Sequence, residues 1–108
     1  MKFQKSITIS GLYDFGLGEE NCSLIFSSIE PNHPDGVFSL YTENGTCFFE
    51  WELKMVESVY YNKDILTVYF DMGDEDGEAC ENFKISQPLT EELIDYINHK
   101  IDTVRLFS

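Results

Sequence analysis

The run Val37-Phe38-Ser39-Leu40-Tyr41-Thr42-Glu43-Asn44-Gly45-Thr46-Cys47-Phe48-Phe49-Glu50-Trp51-Glu52-Leu53-Lys54 holds two apolar segments divided by an Asn-Gly dipeptide. Asn and Gly tolerate the positive φ angles of a type I′ turn, so the spacing predicts two antiparallel strands joined by a tight hairpin. In the second segment Cys47, Phe49, Trp51 and Leu53 share one parity and are expected to face inward, with Glu50, Glu52 and Lys54 facing out. Phe48 falls on the outward parity and is expected to be an exposed aromatic.

The same pattern extends in both directions. Downstream, residues 56–61 and 65–70 flank Asn62-Lys63-Asp64, a second hairpin, and residues 71–78 form an acidic loop with two glycines. Residues 79–85 read as a last strand, with Phe83 and Ile85 on one parity. Upstream, Phe3, Ile7 and Ile9 alternate with Gln4, Ser6, Thr8 and Ser10, a half-buried strand over residues 2–10. Lys5 breaks the apolar parity, which suits a strand end or an edge. Residues 11–20 hold three glycines and are expected to be a loop. Residues 21–29 are a strand, and the Pro31, Pro34 and Asp35-Gly36 signals after it mark a turn.

Pro88 separates the strands from a helix expected over residues 90–107. The Thr90 hydroxyl can accept a free N–H of the first turn, and Glu91 and Glu92 sit where the macrodipole favours negative charge. Leu93, Ile94, Ile97, Ile101, Val104 and Phe107 recur at helical spacing, and Lys100 and Arg105 lie toward the favourable C-terminal end. Strands first and a helix last imply α+β: an antiparallel meander of about seven strands within residues 2–85, with one C-terminal helix packed on its apolar face. At 108 residues the chain is one domain, 1–108.

Composition narrows the function. Twenty acidic residues against seven basic ones give a net charge of -13, while 43% of the chain is hydrophobic and 15% aromatic. That is too apolar for a disordered acidic tail, so the charge belongs to the surface of a folded body. Phosphate and anionic lipid are repelled, which argues against nucleic acid and membranes as partners. No apolar run approaches the roughly 18 residues of a membrane span, and the N-terminus lacks signal-peptide features, so a cytoplasmic protein is expected. The three cysteines Cys22, Cys47 and Cys80 form no C-x-x-C pair and are expected to be buried thiols.

Sites of chemistry find no template. His33 lies in a turn and His99 on the helix, and no paired-histidine zinc motif exists. The glycine-rich Gly11–Gly18 segment lacks the lysine and helix of a phosphate loop. The 71–78 loop is rich in carboxylates, but its glycines miss the register of an EF-hand. No catalytic residue, cofactor or metal is therefore expected, and the chain is read as not an enzyme.

The charge map is the distinctive feature. No basic residue lies between Lys5 and Lys54, or between Lys63 and Lys84, while acids are frequent in both gaps. Such a surface captures basic proteins rapidly. The expected contact group is Asp71, Asp74, Glu75, Asp76 and Glu78, with Glu91, Glu92 and Asp95 of the helix competing for the role. Tyr13, Phe15, Phe48 and Tyr61 are candidate aromatic anchors.

In size, charge and a strand-rich plan ending in Leu89-Thr90-Glu91-Glu92-Leu93-Ile94-Asp95-Tyr96-Ile97-Asn98-His99-Lys100-Ile101, the chain resembles the immunity proteins of bacterial polymorphic toxins, including contact-dependent growth inhibition systems. The resemblance implies a one-to-one complex with a cognate toxin domain, often a nuclease, whose substrate cleft is covered or blocked. It carries over no individual residue. Two alternatives stay open: a nucleic-acid mimic that inhibits a defence or regulatory complex, and a small-molecule or calcium-binding module. A monomer or a weak homodimer through an exposed edge strand is expected.

Overall fold

The computed structural model describes residues 6–16, 18–27, 35–71 and 78–106. Seven strands form one antiparallel sheet: β1 (Ser6–Asp14), β2 (Glu19–Ser27), β3 (Val37–Thr42), β4 (Cys47–Glu52), β5 (Val56–Asn62), β6 (Ile65–Asp71) and β7 (Glu78–Ile85). Among the described residues one α-helix, α1 (Glu91–Leu106), follows them. The α+β meander expected from the sequence is the observed fold.

The meander is cut at an unexpected place. The order is β4-β3-β2-β1-β7-β6-β5, so the first and last strands pair in the middle and the consecutive strands β4 and β5 are the two edges. Only the 3-10 turn Leu53–Met55 joins those edges, so the sheet must curl until they approach. Ring contacts across the interior show the closure: Phe38 of β3 lies 6.1 Å from Phe70 of β6 and 6.3 Å from Phe83 of β7. Trp51 of β4 lies 5.3 Å from Phe70. Phe26, Phe38, Leu24, Leu40, Leu66, Val68 and Phe83 are fully buried between the two halves. Burying each such side chain contributes about 1.5–3 kcal/mol, and this core holds the sheet curled.

The halves meet through a short pairing of Gly11 and Leu12 with Ile85 and Lys84. A Cβ on Gly11 would stand 2.5 Å from the Lys84 carbonyl oxygen. Gly11 is therefore a point of close backbone approach within a strand, not part of a loop. The expected loop over residues 11–20 is corrected accordingly: β1 runs on to Asp14, β2 starts at Glu19, and the connection is short.

The turns also redistribute. Gly45 has φ of 89°, but Asn44 does not have positive φ. With Thr42 N–H donating to Thr46 C=O and Gly45 N–H to Thr42 C=O, this is a type I turn with a glycine bulge, not type I′. The positive φ angles at both central positions of a two-residue turn occur instead at Lys63 (49°) and Asp64 (70°).

The helix lies against β5 and the 3-10 turn, burying Ile97, Ile101 and Val104. Thr90 caps it as expected, its Oγ1 accepting the Leu93 N–H at 3.1 Å. Lys100 is also buried, at 3% exposure, so it belongs to the packed face rather than to a solvated C-terminal turn. No buried side-chain nitrogen or oxygen among the described residues lacks a partner. Among the same residues, no helix is long and apolar enough to cross a membrane.

The cysteine expectation holds for Cys22 alone. Cys47 and Cys80 are exposed. A register shift opposite Leu40 and Tyr41 inserts one residue in β4, which breaks the parity that would have turned Cys47 inward. Cys80 has the parity opposite to Phe83, so it stands on the outer face beside Tyr69. Leu53 is buried as expected, but in the 3-10 turn beyond the end of β4.

Candidate partner-binding surface

The β4 bulge that exposes Cys47 also assembles an aromatic cluster. Phe48 is 51% exposed, as expected, but the bulge removes the outward parity on which that expectation rested. It does not stand alone: its ring is 4.9 Å from Phe15 in an edge contact and 6.2 Å from Tyr13. Tyr13 and Phe15 are 5.0 Å apart, and Tyr13 lies 5.1 Å from the buried Phe83. Three of the four anchor candidates thus form one cluster rooted in the core. Tyr61, on β5, packs against the core and is not part of it.

Several carboxylates lie on the two hairpins that carry these rings. Asp14 lies between the Tyr13 and Phe15 positions, and its Oδ1 accepts the Gly16 N–H at 2.7 Å and the Gly18 N–H at 3.3 Å, closing the β1–β2 turn. Glu19 and Glu20 pair in register with Asp14 and Tyr13. Glu43, in the β3–β4 turn, accepts from Asn21 Nδ2 at 3.5 Å. Glu20 and Glu43 share an open depression with Thr42 and Asn44. A second depression, lined by Ser10, Gly11, Asn21, Cys22, Ser23, Glu43 and Ser86, adjoins it.

Glu81 is the residue that sequence reading missed. It shares the inward parity of Phe83 and Ile85, and its Oε2 accepts the Tyr13 hydroxyl at 2.8 Å. Burial, and then the Glu81 hydrogen bond and charge, push the Tyr13 hydroxyl up to about 12. Tyr13 therefore stays a neutral donor to a carboxylate, an arrangement that fixes the ring at the base of the cluster. Burial likewise raises the Cys22 thiol to about 11, so it is an inert core group.

The expected loop site divides. Asp71 ends β6 and is paired in register with Glu78, which opens β7. Asp71 is already engaged: Arg105 Nη2 of the helix meets its Oδ2 at 2.9 Å. Asp74, Glu75 and Asp76 lie outside the described residues, as does His33. Of the helix acids, Glu91, Glu92 and Asp95 are exposed. His99 is exposed too, its carbonyl accepting the Thr103 hydroxyl at 2.9 Å. Among the described residues no group of three or more His, Cys, Asp or Glu side chains is placed to hold a metal ion.

No protein-family model matches the chain, and no curated protein or solved structure is significantly similar to it.

Proposed function

We propose that this protein is an inhibitor of the immunity type, which binds a basic cognate toxin domain in the bacterial cytoplasm and neutralises it by covering its substrate cleft. The observation that carries the reading is the exposed Phe48 cluster, whose Tyr13 and Phe15 belong to the β1–β2 hairpin that also carries Asp14, Glu19 and Glu20, on a chain of net charge -13. Aromatic anchors supply buried contact area, and the acidic surface as a whole steers a basic partner toward it. Nucleases are basic where they hold phosphate, so carboxylates can occupy that cleft in place of the substrate. Asp74, Glu75 and Asp76 add further acids to the sequence.

The test is affinity capture from the source cells, washed at low and then high salt, followed by assay of what is retained. One stoichiometric basic protein should survive the high-salt wash and lose its activity when this chain is added. Reversing Glu20 and Glu43 to lysine should slow its association and flatten the salt dependence. A collection of basic proteins that all wash away would leave the charge with a solubility role only and defeat the proposal.

A further inference from the structure

The two edges of the sheet differ in their backbone groups. Strand pairing alternates, so every second residue of an edge strand points its N–H and C=O away from the sheet. On β5, Val59 points outward, and both its groups are taken: its N–H donates to Asn98 Oδ1 at 2.8 Å, and its C=O accepts Asn98 Nδ2 at 2.9 Å. The helix amide thus stands where another strand would pair. On β4, the Leu53 N–H bond to the Gly36 carbonyl at 2.8 Å sets the alternation. Trp51 and Phe49 then bond to β3, and the backbone groups of Glu50 and the N–H of Glu52 point outward. Among the described residues no strand lies on that side.

We propose that β4 is a docking edge that receives an extended segment of the basic partner as an eighth strand, with Lys or Arg alternating with apolar residues. This rests on the functional reading above and specifies its docking mode. The side chains choose the occupant. Glu50 and Glu52 are exposed on the outer face, so residues opposite them on an added strand meet negative charge. Glu52 pairs with Lys54 at 3.1 Å, a solvent-exposed ion pair that competes weakly. On the inner face Phe49 and Trp51 are half-buried and offer apolar contact, and Phe48 is exposed at the start of the strand. A second copy of this chain would set glutamates against glutamates, which destabilises cross-strand pairs. The acids that deter self-pairing therefore admit a basic strand.

The probe is a short peptide alternating lysine with valine, blocked at both ends, titrated into the isotope-labelled protein. A second peptide of the same composition carries N-methyl groups on the residues that would bond to β4. The expected result is slowed amide exchange at Glu50 and Glu52 with the first peptide, and binding weaker by about tenfold with the second, for the loss of edge hydrogen bonds. Glu50→Pro, which removes only an outward N–H, should weaken the first peptide similarly, while Glu50→Gln keeps the backbone contact and loses the charge. Sedimentation should show a monomer. Equal binding of both peptides would overturn the strand-addition mode and leave the basic-partner reading standing. Binding of neither peptide, together with no basic protein retained in the capture experiment, would overturn both. A dimer abolished by Glu50→Pro would assign the edge to a second copy and overturn the proposal.

Discussion

Val59 on β5 and Glu50 on β4 hold equivalent places on opposite edges of one sheet, each with its backbone turned outward. Val59 has both groups bonded to Asn98. Glu50 has neither group bonded to another strand among the described residues. The difference follows from where the helix lies. It packs against β5 and the 3-10 turn, and Arg105 extends the cover by donating to the Lys54 and Val56 carbonyls at 3.4 and 3.5 Å. An edge finished by the Asn98 amide, and another that no described strand covers and that carries glutamates, differ in how self-pairing is deterred: by cover on β5 and by charge on β4.

The strongest way to break this comparison is to unseal β5. Asn98→Ala leaves the N–H and C=O of Val59 without partners at a part-buried site, and should cost about 2–4 kcal/mol, since each orphaned group costs about 1–3 kcal/mol. Urea denaturation measures it; a loss under half a kcal/mol would mean that the amide only decorates the edge. Next comes the junction that brings the edges together. Gly11→Ala drives a Cβ against the Lys84 carbonyl, which is backbone and cannot swing aside, so a loss of about 1–3 kcal/mol is expected in the same assay. Arg105→Ala removes a bridge to Asp71 in which both side chains are substantially exposed, and should cost no more than about 1 kcal/mol. A larger loss than that of Asn98→Ala would mean that the helix is held by charge. The smallest effect belongs to the open edge. Glu50→Pro should change stability by no more than about 0.5 kcal/mol, because the N–H it removes bonds to no strand.

Much of this fold was legible in the chain, for a local reason. Alternation such as Ile7, Ile9 against Ser6, Thr8, and the 3.6-residue spacing of Ile97, Ile101 and Val104, report which face is buried without reference to any distant segment. What was hidden depends on contacts far apart in sequence. Nothing near Gly11 says that Lys84 crosses there, so a glycine placed for close approach read as a loop residue. Asn98 reads as a polar helix position, and only Val59, 39 residues away, gives it a task. The one-residue bulge in β4 reversed the expectation for Cys47 and led Phe48 to Phe15 and Tyr13. Within the acidic loop proposed from sequence, the Asp71 pairing with Arg105 spans 34 residues and had no local sign. Glu81, by contrast, could have been found, because it shares the parity of Phe83 and Ile85 that was already recognised.

Residue-resolved hydrogen exchange on the free protein tests the contrast between the edges most directly. The Val59 amide should be protected to nearly the same degree as the Val68 amide of β6, a strand paired on both sides, while the amides of Glu50 and Glu52 should exchange at close to unprotected rates. Strong protection at Glu50 and Glu52, or none at Val59, would contradict the assignment of a sealed and an open edge.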